Sequence, residues 1–206
     1  VWSKTIIIFV GGIGSGKSVS VIKELVERSE YSEAFVNFKT KKIPGVSRIK
    51  MDWIIGSKEV DGKKKKTVNY AHWNQLRQDK RRYSIYLDEV HNILHSRMSM
   101  SKQNILMSMW LSQVRKIFGE GEKDHLYVIS QKLRRIDISL RDLAHWIIEC
   151  EKLDTPDGIR IMKTYYQGVE DYEMGAITAR KIYDPRPFFK YYDSYELLDF
   201  GNEVYL

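Results

Sequence analysis

The chain has 206 residues, of which 43% are apolar, 12% aromatic and 30% charged, and its formal net charge is +7. That length and apolar content suffice for one domain, 1–206, with a sizeable core, and they exclude intrinsic disorder as the default. The single cysteine, Cys150, excludes an internal disulfide. The longest unbroken apolar run, Ile6 to Val10, is far short of the roughly 20 residues of a membrane span, so the chain reads as cytoplasmic with no direct membrane span.

Thr5 to Val10 carries three consecutive isoleucines and a valine without polar alternation, which predicts a parallel strand buried on both faces. Directly behind it stands Gly11-Gly12-Ile13-Gly14-Ser15-Gly16-Lys17-Ser18, which satisfies Gly-x-x-x-x-Gly-Lys-[Ser/Thr], a P-loop (Walker A) in strand–loop–helix context. Phosphates are multiply charged oxyanions, and such a loop offers converging backbone N–H groups and the positive end of a helix dipole. Lys17 is expected to reach the β- and γ-phosphates of ATP and Ser18 to ligate Mg²⁺. The amides of Gly14, Ser15, Gly16, Lys17, Ser18 and Val19 would wrap the rest. Val19 to Glu30 continues as a helix, with Val19, Ile22, Leu25 and Val26 at helical spacing, and Ala34 to Phe38 reads as a second strand.

Positive charge concentrates in Lys39 to Lys66 and at Lys80-Arg81-Arg82, an excess that suits a polyanion as well as a solvated surface. Within 39–70, a strand-like Ile49 to Ile55, the turn Asp61-Gly62 and the run Thr67 to Tyr70 predict an inserted β-hairpin with a basic tip. Lys63, Lys64, Lys65 and Lys66 at that tip are the candidate DNA contacts; lysines on an edge hairpin also discourage strand addition.

After a helix at Ala71 to Arg82, the apolar strand Tyr83 to Leu87 delivers Asp88 and Glu89 at its carboxyl end. Behind a P-loop, that pair predicts Asp88 holding a water of the Mg²⁺ shell and Glu89 orienting or deprotonating the attacking water. Ser101 is a candidate N-cap for a helix through Phe118, with Ile105, Leu106, Met109, Trp110, Val114 and Ile117 as an apolar stripe. Arg115 lies on another face, where it can reach a neighbouring subunit's γ-phosphate or sit solvated in a surface ion pair. The strand His125 to Ser130 ends at Gln131, a neutral amide placed to hydrogen-bond the γ-phosphate or the lytic water. A short helix near Ser139 to Ala144 follows. Trp146 to Lys152 and Ile159 to Tyr166 then pair as a β-hairpin at a sheet edge, and 185–206 forms an aromatic tail that packs across the domain or onto a neighbour.

This order of parts resembles the FtsK/HerA superfamily of P-loop ATPases, in its viral genome-packaging and zonula-occludens-toxin-like branch. The resemblance spans about Ile6 to Lys152 and rests on Gly11 to Ser18, Asp88-Glu89-Val90-His91-Asn92, the stretch Ser96 to Asn104, Gln113-Val114-Arg115-Lys116, and Ser130-Gln131 with Arg135-Ile136-Asp137 and Leu140-Arg141-Asp142. It implies an α/β, RecA-like core with a mostly parallel central sheet. It also implies a homo-oligomeric ring, a hexamer, that translocates double-stranded DNA at the expense of ATP. By position Lys17 and Ser18 belong to Walker A, Asp88 and Glu89 to Walker B and Gln131 to the sensor. Arg115 is the first choice for an arginine acting in trans, with Arg97 and Arg141 as alternatives.

The lack of a HerA-type amino-terminal domain and of a visible membrane segment favours a minimal packaging ATPase with a capsid or portal-vertex partner. The toxin-like assembly and export role is the alternative. Two other classes compete: a nucleotide kinase, which needs an arginine-rich lid, and a non-catalytic nucleotide switch, against which Glu89 beside Asp88 argues.

Overall fold

The run Thr5–Val10 is strand β1, and it is buried on both sides: Ile6, Ile8 and Val10 enter one core cluster, Ile7 and Phe9 another. A strand with no polar face fits only between two covering layers. The computed structural model describes residues 5–29, 32–41, 43–79, 82–88, 105–106, 109–111, 113 and 125–192. In chain order these form β1, α1 (Lys17–Arg28), β2 (Glu33–Val36), β3 (Val46–Arg48), the single turn α2 (Met51–Ile54), β4 (Ile55–Val60), β5 (Lys63–Val68), α3 (Ala71–Gln78) and β6 (Tyr83–Leu87). They continue as β7 (His125–Ile129), α4 (Ile138–Asp142), β8 (Trp146–Thr155), β9 (Gly158–Tyr166), α5 (Gly168–Met174) and β10 (Ala179–Tyr183). A 3₁₀ segment, Arg186–Tyr191, follows.

The main sheet has eight strands in the order β10-β9-β8-β1-β7-β6-β2-β3. From β8 to β3 every pairing is parallel, and β9 and β10 add antiparallel at one edge. This is the α/β architecture with a mostly parallel sheet that the strand pattern predicts. On one face α1 contributes Val21, Ile22 and Leu25 to a cluster that also takes Phe188, Tyr191 and Tyr192 from the carboxyl-terminal segment. On the other, Trp73 and Leu76 of α3, Trp110, Leu111 and Leu140 of α4 cover Ile6, Ile8, Ile85 and Leu87. The aromatic tail thus packs onto the domain as far as Tyr192.

Several expectations change. The hairpin does not begin at Ile49: β3 is an edge strand of the main sheet, α2 follows, and the first hairpin strand is β4. Its turn is Asp61-Gly62, with φ of 54° and 68°, so pairing resumes at once with Val60 opposite Lys63. Positive φ at both central residues matches the strand twist of a two-residue turn. The four lysines therefore lie along β5, not in a loop at the tip.

The apolar stripe of the 101–118 helix also divides. Trp110 is fully buried, while Ile105 and Met109 are 46% and 51% exposed, and most of that helix lies outside the described residues. The β8–β9 hairpin is present, but β10 stands outside it as the true edge.

Candidate active site

Strand order assembles the site. β1, β7 and β6 are neighbours and parallel, so their carboxyl ends deliver the loop 11–16, Ser130-Gln131 and Asp88 to one rim of the sheet. At about 4.8 Å per strand, the P-loop and Asp88 stand roughly 10 Å apart with Gln131 between them.

Two glycines of the loop are demanded by neighbours. Gly11 has φ 147°, and a Cβ there would fall 2.5 Å from the Cys150 carbonyl on the adjoining strand β8. Gly16 has φ 90°, and its Cβ would meet Ile161 Cδ1 of β9 at 2.3 Å. Side chains at either position would displace the loop from the sheet edge.

Gly16 caps α1 in left-handed conformation, and the helix has neither a side-chain cap nor an acidic residue in its first turn. Its first N–H groups and dipole are thereby left open to an anion. Lys17 is 8% exposed and its Nζ donates to the Gly12 carbonyl at 2.7 Å, which holds the ammonium across the loop. Ser15 Oγ is buried with no hydrogen-bond partner among the described residues. A buried hydroxyl normally finds a partner, so this one marks a place where a polar ligand fits. Ser18 is half-buried at the same helix start.

Asp88 is positioned through its backbone. Asn37, the residue after β2, donates from Nδ2 to the Asp88 carbonyl at 2.9 Å and accepts from the Asp88 N–H at 2.7 Å. Gln131 Oε1 accepts from Arg135 Nη1 at 2.9 Å, so a guanidinium joins the rim beside the amide. Asn37 escaped the sequence reading because nothing local reveals that β2 pairs with β6. Arg135 stood within the resembling stretch, but its contact with Gln131 depends on the 3₁₀ turn Leu133–Arg135.

The helix behind the loop is tied to the antiparallel edge. Ser20 Oγ and Tyr183 Oη share a hydrogen bond of 2.8 Å, and Lys163 Nζ donates to Glu24 Oε1 at 2.8 Å. Burial alone would raise the Glu24 carboxyl, but the Lys163 ammonium, together with Lys23 and Arg28, outweighs it and holds Glu24 below the usual range. Burial would likewise lower Lys163, and Glu24 overrides that to raise it.

Arg141 sits on α4, before Ala144 and His145, whose N–H bonds the Ile6 carbonyl. That is the amino end of β1, about a strand length, roughly 17 Å, from the P-loop of its own chain. Glu89, Arg97 and Arg115 lie outside the described residues. Lys63, Lys64, Lys65 and Lys66 are exposed on the separate β4–β5 ribbon.

Among the described residues no group of three or more His, Cys, Asp or Glu could hold a metal ion. One hydroxyl and one carboxylate, Ser18 and Asp88, suit Mg²⁺, which keeps several waters and takes its other ligands from phosphates. No helix among the described residues is long and apolar enough to cross a membrane.

The family described as zonular occludens toxin (Zot) matches residues 5–197. The chain belongs to the Zot family. The N-terminal domain of the zonular occludens toxin from Neisseria meningitidis superposes with a TM-score of 0.60 at 16% identity, covering 93% of this chain and 100% of that one. A KaiC-like protein from Pyrococcus horikoshii OT3 gives 0.52 at 11% identity, over 89% and 87% of the two chains. The genome packaging NTPase of Sulfolobus turreted icosahedral virus 2, in complex with ATP-gammaS, gives 0.51 at 12% identity over 88% and 97%. No curated protein sequence matches the chain. At these identities the structural likeness establishes the P-loop NTPase fold, and the family match places this Zot domain in the toxin-like branch that the motifs resemble.

Proposed function

We propose that this Zot-family domain is an ATP-hydrolysing motor of phage assembly that moves double-stranded DNA through a homo-oligomeric ring, a hexamer, in the host cytoplasm. The observation that carries the reading is the convergence at one sheet rim of an uncapped helix N-terminus, the buried Lys17 with the orphaned Ser15 hydroxyl, Gln131 and Asp88. An open helix terminus with a buried cation suits a phosphate chain, and a carboxylate two strands away suits the metal that accompanies it.

In this reading the amides from Gly14 to Val19 and Lys17 bind ATP. Ser18 and, through water, Asp88 would hold Mg²⁺, whose charge would offset that of the phosphates. Glu89 orients the lytic water and Gln131 donates toward the γ-phosphate. Arg115, or failing it Arg97 or Arg141, approaches a neighbouring subunit's nucleotide. The family match favours assembly and export of phage as the destination. Packaging into a preformed capsid, with a capsid or portal-vertex partner, is the second reading, favoured by the likeness to a genome packaging NTPase.

The test is ATP turnover measured with and without duplex DNA, alongside native mass. Expected are stimulation by duplex DNA, a ring, and a loss of roughly 10²- to 10⁴-fold in Glu89→Gln, the usual contribution of a general base. DNA-independent phosphorylation of a nucleoside panel would replace the motor by a kinase. Turnover at background would leave a nucleotide switch.

A further inference from the structure

The β4–β5 ribbon is asymmetric in charge. Its register sets Lys58 opposite Lys65, Glu59 opposite Lys64 and Ser57 opposite Lys66. Directly paired residues share a face and successive residues alternate, so one face carries Lys58, Lys63 and Lys65 with no carboxylate. The other carries Lys64 and Lys66 together with Glu59, and at its root Ile55 and Val68 turn into the core, Val68 being 8% exposed. All five lysines are exposed.

Like charges directly opposite on a ribbon disfavour pairing, whereas unlike charges favour it. The Glu59–Lys64 pair is the arrangement expected of lysines that serve solubility. The Lys58–Lys65 pair is its reverse, a repulsion that a polyanion relieves. The ribbon is also held firmly at its base: Asn69 N–H donates to the Ile54 carbonyl at 2.8 Å, and Trp73 Nε1 to the Trp53 carbonyl at 2.7 Å. The charged face lies on the part of the ribbon beyond that root.

We infer that the face formed by Lys58, Lys63 and Lys65 is the surface that contacts the phosphates of duplex DNA, and that Lys64 and Lys66 are bystanders. This rests on the DNA reading above and narrows it. It brings in Lys58, which lies outside the lysine run, and removes two residues of the run. Lys63 and Lys65, two residues apart on a strand, stand about 7 Å apart, and Lys58 faces Lys65 across about 5 Å, so three charges fall within a short stretch of backbone phosphates.

The experiment compares Lys58→Ala/Lys65→Ala with Lys64→Ala/Lys66→Ala, two variants that remove the same net charge. Binding of a labelled duplex oligonucleotide is followed by fluorescence anisotropy between about 50 and 200 mM salt, the range over which phosphate contacts separate by slope. Far-UV circular dichroism confirms that both variants fold.

The first variant is expected to weaken binding more than roughly tenfold and to flatten the log–log salt slope by about 1.8, since each lost phosphate contact removes about 0.9. The second is expected to change the slope by less than about 0.5. Equal losses, or a larger loss in the second variant, overturn the face assignment while leaving DNA binding intact. Absence of salt-dependent binding by the unmodified protein overturns the DNA reading itself.

Discussion

The molecule has two regions rich in features that suit phosphate, and they are built in opposite ways. At the P-loop one lysine, 8% exposed, works with backbone amides inside a cradle that neighbouring strands press against at Gly11 and Gly16. On the β4–β5 ribbon the lysines are exposed, and the ribbon joins the domain only at its root. A cradle of that kind selects one geometry and is little screened by salt. An exposed charged face accepts any polyanion and is screened strongly. In the proposed reading, nucleotide and DNA would therefore occupy different regions of the same chain for electrostatic reasons.

The sharpest way to break this contrast is Lys17→Met, which removes the buried cation and keeps the side-chain volume. Turnover should fall by roughly 10²- to 10³-fold, the usual effect of deleting one charge-stabilising donor, with duplex binding unchanged. A parallel loss of DNA binding would show that the two regions are not separate.

The next effect concerns what holds the cradle. Lys163→Met leaves the half-buried Glu24 without its ammonium, and removing one partner of a pair whose other member is buried costs about 3 kcal/mol. For a chain of this size that lowers Tm by roughly 6–12 °C in a thermal melt at neutral pH. The pH dependence follows from the shifts. Glu24 is held below its ordinary 4.5, so its share of the stabilisation is complete above about pH 4.5 and is lost as pH falls through the lowered value. Lys163 is raised above 10.5, so its share is complete below about pH 10.5 and is lost above it. The Tm difference between the two proteins should therefore shrink below about pH 4.5; a constant difference would remove the ion pair as its cause.

Smallest is the response to salt. With three phosphate contacts, raising salt fourfold should weaken duplex binding roughly 40-fold and ATP binding only a few-fold. Equal sensitivity would erase the contrast between cradle and ribbon.

Much of the candidate site is legible in the sequence. The glycine pattern, Lys17 and Ser18 declare themselves because phosphate binding needs contiguous residues, and Asp88 and Gln131 because each ends an apolar strand. The hairpin was legible as to its turn, since Asp61-Gly62 is a local signal, but not as to its strands. The alternating burial that would mark Ile55–Val60 is absent from an exposed ribbon, and the stiffer run at Ile49 misdirects the reading. β10 and α5 went unread because their residues are mostly exposed and carry little periodic pattern.

Chemistry written in consecutive residues was determined by the sequence itself: the loop, its lysine and serine, and the strand that precedes them, whose unbroken apolar run demands cover on both faces. Contacts between segments far apart in the chain were decided only by the tertiary structure. These include Asn37 gripping Asp88, Arg135 on Gln131, Glu24 paired with Lys163, and Lys58 opposite Lys65. The physical reason is that strand order and register arise from the packing of the whole core, and no local run of residues carries that information.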